Sequence, residues 1–164
     1  MSYERQVSRI LDDEHRANLE LLGRVEQAFA RMGRSVPRDA GVAQLCGAFA
    51  RHVEQDIDRH FAFEESELFP RMADGGDGDM ADLLREEQEA IRAVAAEVLP
   101  LARKAAAGAL DDAAWPDLAR GALEMVERQV AHIQKETMAL LPLLEDLVEE
   151  ETDRELAFGY AATA

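Results

Sequence analysis

Apolar residues recur along this chain at spacings of three and four, the mark of helices with one buried face. One stripe runs Leu11, His15, Leu19, Leu22 and Phe29, and a second runs Leu45, Phe49, Val53, Ile57, His60, Glu64 and Leu68. A third holds Met80, Leu84, Glu87, Ile91, Val94 and Val98, and a fourth Leu118, Ala122, Met125, Gln129, His132, Glu136, Leu140, Leu143 and Leu147. Breaks rich in Gly, Asp and Pro separate them, at Gly33 to Asp39, Ala73 to Gly78 and Gly108 to Pro116. The pattern predicts helices over 3–32, 40–72, 79–107 and 116–151. Pro116 suits a first turn, where its missing N–H costs nothing. Pro70, Pro100 and Pro142 mark points where a helix kinks or ends. Four helices joined by such short loops pack most simply as an up-down-up-down antiparallel four-helix bundle. We assign residues 1–153 to the bundle and 154–164 to a C-terminal tail, either a short helix extension or a frayed end.

Composition points the same way. With 164 residues the chain suits one domain. Strand formers are scarce, with ten Val, four Ile and three Thr, while Ala, Leu, Glu and Arg dominate, so the fold class is all-α. Charge then narrows the function. A net charge of −16 repels phosphate backbones and anionic lipid, which argues against nucleic-acid binding and polybasic membrane docking. No run of about 20 apolar residues is present to span a bilayer. The opening MSYERQVSRILDDEH carries charges where a signal peptide needs an apolar run, so the expected location is cytoplasmic. The single cysteine, Cys46, excludes an intrachain disulfide and a cysteine-rich metal cluster; it reads as a small buried apolar residue.

Each apolar stripe is broken by a His or a carboxylate, and ionisable groups on an inner face are costly unless paired or bound to metal. They follow an internal repeat. His60, Glu64, Leu68 and Pro70 recur as His132, Glu136, Leu140 and Pro142, all offset by 72. The same offset carries His15 onto Glu87 and Leu11 onto Leu83. Six facing groups follow: His15, His60, Glu64, Glu87, His132 and Glu136. A His and a Glu four residues apart lie one turn apart on one helix face, about 6 Å along the axis. Two such pairs on facing helices offer two imidazoles and two carboxylates able to bridge two metals, with His15 and Glu87 each capping one ion. Mixed nitrogen and oxygen ligands without thiolate suit iron, with manganese or zinc as alternatives.

Asp13-Glu14-His15, His60-Phe61 through Glu64-Glu65 to Leu68-Phe69-Pro70, and His132-Ile133 through Glu136 to Pro142 resemble the hemerythrin-like (HHE cation-binding) family over roughly residues 5–150. The resemblance implies a four-helix bundle around a non-haem di-iron centre, two irons per chain, with His15, His60, His132, Glu64 and Glu136 as ligands and the two Glu as bridges. The third helix departs from the family. Members carry a further His there, often followed three residues on by Ile-Arg. Matching Ile91-Arg92 puts it at Gln88, whereas the repeat points to Glu87. We take Glu87, on the inner stripe and with the better ligand for a hard cation; Gln88 and Glu86 remain open. Fewer imidazoles move the site from reversible oxygen carriage towards di-iron oxidases and peroxidases. The expected function is binding of, or peroxidase-like reaction with, O2 or peroxide. The alternative is a non-catalytic O2, nitric oxide or iron binding or sensing protein; a partner-binding scaffold with vestigial ligands ranks third. His52, eight residues before His60, falls off that face and is expected at the surface. Asp56 and Arg128 lie one turn before His60 and His132, suited to orienting them or to surface ion pairs. Tyr3 and Tyr160 carry hydroxyls that could donate to a bound oxygen species, but the sequence places neither near the site.

Overall fold

The structure, a computed structural model, describes residues 2–31 and 39–164. Most of the first expected loop, from Gly33 onwards, lies outside the described residues; only its last residue, Asp39, is described. All regular structure among the described residues is helical. Helix α1 spans Gln6–Ala30. The second stretch is continuous in sequence but not in geometry: α2 (Ala40–Arg51), a π turn (His52–Asp56), α3 (Ile57–Phe63), a second π turn (Glu64–Leu68) and α4 (Phe69–Asp74). Helix α5 covers Gly78–Ala106. A 3-10 turn at Asp112–Ala114 leads into α6 (Trp115–Lys135), a third π turn (Glu136–Leu140) and α7 (Leu141–Leu147). The residues expected as a tail belong to a separate helix, α8 (Glu150–Ala161), which starts after Val148 and Glu149 in extended conformation. No helix among the described residues is long and apolar enough to cross a membrane.

The ends follow from local chemistry. Asp39 caps α2, its Oδ1 accepting from Val42 N–H at 2.9 Å. Gly76 (φ +98) and Gly108 (φ +69) stop α4 and α5 in the left-handed region that side chains resist. In each case the next amide reaches back over the turn: Asp77 N–H to Met72 O, and Ala109 N–H to Lys104 O, both at 2.8 Å. Pro70 and Pro142 are each the second residue of the α segment that follows a π turn. A proline ring clashes with the carbonyl four residues back, here that of Ser66 or Met138, and both lie within π turns whose wider winding opens that space. Pro100 lies inside α5, which continues to Ala106.

A π turn inserts one residue into the helical count, so the buried stripe moves on by one. After Glu136 the uniform spacing expects Leu143 and Leu147 inside; instead Leu144 and Val148 are fully enclosed while Leu143 and Leu147 are half-buried. The insertion at His52–Asp56 likewise turns an eight-residue step into about two turns. His52, expected at the surface, is 1% exposed.

The chain forms two compact units. The first comprises residues 1–18, 59–88 and 131–164. Its core includes Val7, Leu11, Phe69, Met72, Leu84 and Leu144, all fully buried. The second comprises 19–58 and 89–130 and buries Leu45, Phe49, Val98, Leu118 and Met125. Within it Gly121 lets α6 come close to α5; a Cβ there would lie 3.0 Å from Val98 Cγ2. His52 also belongs to this unit, its Nε2 3.1 Å from Gln129 Oε1 and its Nδ1 3.5 Å from the carboxylate of Asp56.

Candidate metal centre

The conspicuous polar cluster lies wholly within the first unit. His15 comes from α1, His60 from α3, Glu64 from the start of the second π turn, His132 from α6 and Glu136 from the start of the third π turn. The repeated His-x-x-x-Glu-x-x-x-Leu-x-Pro thus folds the same way twice: one α turn from His to Glu, then a π turn from Glu to Leu. All five side chains are at most 5% exposed. One ligand atom from each of His15, His60, Glu64 and Glu136 lies within 4.8 Å of the others. His60 Nε2 is 3.2 Å from Glu64 Oε2, and His15 Nε2 is 4.0 Å from Glu136 Oε2. His132 Nε2 approaches the other oxygen of Glu136, Oε1, at 2.6 Å. The rings of His15 and His60 are 5.3 Å apart, and Phe61 meets His132 edge-on at 5.5 Å, giving the cluster an apolar wall.

On α5 the structure corrects the expectation. Gln88, not Glu87, points inward and is fully buried. Its Nε2 donates to Glu64 Oε1 at 2.8 Å and lies 3.3 Å from His132 Nε2. Glu87 is about a fifth exposed and is held by Lys135, with Oε2 2.8 Å from Nζ. The same Oε2 is 3.6 Å from His132 Nδ1, on the outer edge of that ring. Leu84 and Ile91 flank both positions at helical spacing, so periodicity alone could not choose between them. The π turn at His52–Asp56 inserts a residue before His60 that has no counterpart before His132, so the 72-residue offset between those two does not transfer to α1 and α5.

The groups that orient the ligands were only partly legible. Glu14 Oε2 accepts from His60 Nδ1 at 2.8 Å, and Thr137 Oγ1 pairs with His15 Nδ1 at 3.1 Å. Each contact occupies one ring nitrogen and directs the other, Nε2, inward. Tyr160 Oη donates to the same Glu14 oxygen at 2.5 Å. Asp56 and Arg128 do not fill these places: Asp56 is exposed beside His52, and Arg128 pairs with Glu124 on the surface. Tyr3 lies in the apolar core of the unit. Glu14 had a sequence signal in Asp13-Glu14-His15; Thr137 and Tyr160 had none.

The electrostatics are those of crowded ligands. Burial pushes His15 down to about 4, with the neighbouring His60 and His132 adding to the effect and Glu136 opposing it. Burial also disfavours a charged His60, yet Glu64 and Glu14 outweigh it and raise its pKa well above the ordinary value. Glu64 is raised well above the carboxylate range, by burial and then by Glu136. Glu136 is lowered, since its contacts with Glu64 and His132 overcome the burial. Five buried side-chain atoms here have no hydrogen-bond partner: His15 Nε2, Glu64 Oε2, Gln88 Oε1, His132 Nδ1 and Glu136 Oε2. Orphaned buried acceptors are expensive. A bound cation would relieve His15 Nε2, Glu64 Oε2 and Glu136 Oε2 together.

A family model described as the hemerythrin HHE cation-binding domain matches residues 6–144. No curated protein matches the chain. No solved structure matches it either.

Proposed function

The chain belongs to the hemerythrin HHE cation-binding domain family, and from that membership we propose that it is a non-haem iron protein whose centre binds or reacts with O2 or peroxide. The observation carrying this reading is the convergence of the orphaned His15 Nε2, Glu64 Oε2 and Glu136 Oε2 with His60 in a buried pocket. We assign a first ion to His15, His60, Glu64 and Glu136. His132, with Glu64 and Glu136, would hold a second ion, and the sharing of the two carboxylates would make the centre di-iron. Four long helices in up-down-up-down order are the proposed frame. Glu87 takes a different part from the ligand role its spacing suggests: it is held by Lys135 outside the cluster, with its carboxylate 3.6 Å from His132 Nδ1.

Iron in such a ligand set supplies redox chemistry towards O2 or peroxide. The protein's share is to hold His15 and His60 with Nε2 inward through Thr137 and Glu14, and to keep bulk water away with Phe61 and the surrounding core. Two carboxylates among three imidazoles favour oxidised iron more than an imidazole-rich set does, which supports reaction over simple carriage. The test is an iron-loaded, reduced sample exposed to O2 and to peroxide. An absorbance change together with peroxide consumption is expected. A change that deoxygenation reverses, without consumption, would point to the non-catalytic binding alternative. No change with either oxidant would refute the proposal and the O2-binding form of the alternative.

A further inference from the structure

Helix α8 carries none of the proposed ligands, yet it is fastened to the parts of the unit that hold them. At its first turn the buried Asp153 accepts from the amides of Gln6 and Val7, at 2.8 and 2.9 Å, and so caps α1. At its last turn Tyr160, 2% exposed, packs its ring 4.5 Å from that of Phe63. The Arg59 guanidinium lies over the Tyr160 ring, 3.9 Å from its centroid. Arg59 also donates from Nη2 to Tyr160 O at 2.7 Å and from Nε to Thr163 Oγ1 at 2.8 Å. All these contacts converge on Glu14. Its Oε1 accepts from Arg59 Nη1 at 3.1 Å, and its Oε2 accepts from both Tyr160 Oη and His60 Nδ1.

We infer that Tyr160 is a positioning residue for the metal centre, acting through Glu14 on His60, so that docking of α8 and metal occupancy are coupled. The inference rests on the reading of His60 as a ligand. Glu14 is 29% exposed at the side chain and would have several rotamers if His60 were its sole partner. The tyrosine hydroxyl and the guanidinium remove that freedom. The His60 ring, held by a fixed carboxylate, keeps Nε2 aimed at Glu64 Oε2. Coupling of this kind is reciprocal: an ion that fixes His60 fixes Glu14, and with it the last turn of α8.

The probe is Co(II) added to full-length apoprotein, with affinity read by chelator competition and ligand geometry by the visible absorption of the bound ion. Tyr160→Phe keeps the ring's contacts with Phe63 and Arg59 and removes only the hydroxyl. It should weaken Co(II) binding roughly tenfold, the lower end of what loss of a ligand-orienting partner costs, and alter the visible spectrum. Glu14→Gln should weaken it at least as much. Because Tyr160 acts through Glu14, the double variant should bind no more weakly than Glu14→Gln alone. Co(II) should also slow amide exchange across Glu150–Ala161 in the wild type but not in Glu14→Gln. A Tyr160→Phe protein that binds within twofold of wild type with the same spectrum overturns the inference, even if it melts at a lower temperature. Additive losses in the double variant, or α8 exchange indifferent to the metal, overturn it too. A wild type that takes up no Co(II) refutes the metal reading itself and the inference with it.

Discussion

Stripping the metal from the loaded protein should lower its melting temperature, and the structure sets the scale. In the apoprotein His15 Nε2, Glu64 Oε2 and Glu136 Oε2 are buried without partners. A buried polar atom left in that state costs roughly 1–3 kcal/mol. The bound ion relieves these atoms together, and the stabilisation appears as linkage: at free metal about 100-fold above the dissociation constant it amounts to about 2.7 kcal/mol. For a chain of this length each kcal/mol moves the midpoint by roughly 2–4 °C, so chelation should lower it by roughly 5–11 °C. The assay is calorimetry at pH 7 on one preparation before and after removal of metal, with the content verified by elemental analysis and the chelator dialysed away. His60→Ala, which deletes a ligand, should melt at one temperature regardless of chelation. An unchanged wild-type midpoint after verified metal loss would refute the reasoning, because it would mean that the orphaned atoms are not relieved by an ion.

Other consequences can be checked separately. Gln88→His replaces an amide that donates to Glu64 Oε1 with an imidazole beside His132; it should tighten uptake of a second ion, read as metal equivalents per chain at limiting free iron, and an unchanged binding curve would show that α5 does not face the second position. Glu87→Ala should weaken binding by no more than roughly a hundredfold, the range for partners that orient a ligand, whereas Glu64→Ala should abolish it; equal losses in titration calorimetry would restore Glu87 as a ligand. In the apoprotein His15 should contribute a loss of stability as the pH falls from 6.5 towards 4, while Glu64, raised above the carboxylate range, contributes in the opposite sense. Folded His15 is held near 4 by burial and refuses the proton that the unfolded chain accepts near 6.5, so protonation favours unfolding across that window. Urea melts of His15→Gln should therefore show a flatter pH slope there, and an identical slope would exclude His15 as its source.

The helices were legible because their stripes are long, and the His and Glu pairs were legible because they repeat in register. What escaped was almost all a matter of one residue. A π turn keeps the sequence looking helical while adding a residue to the winding, and no residue type announces it. Periodicity therefore predicted Leu143 and Leu147 inside where Leu144 and Val148 sit, and put His52 on the surface when it is buried. The choice of Glu87 over Gln88 failed for the converse reason. An offset measured between His60 and His132 was carried back across the π turn at His52–Asp56, which the second half lacks, and a carboxylate was preferred on chemical grounds although Lys135 was available to hold it outside. Tyr160 was unreadable because its partner Glu14 lies 146 residues away in sequence, and nothing local ties them.

The π turns also fix the length of the helices that carry the ligands. Deleting one residue between Glu64 and Leu68 would take out the inserted residue and restore ordinary winding, so Phe69 and Met72 would keep the buried face. Pro70 would then meet the carbonyl four residues back with no slack to receive its ring. The same holds between Glu136 and Leu140. A one-residue deletion in either window is thus opposed by the proline that follows it, not by the register of the core.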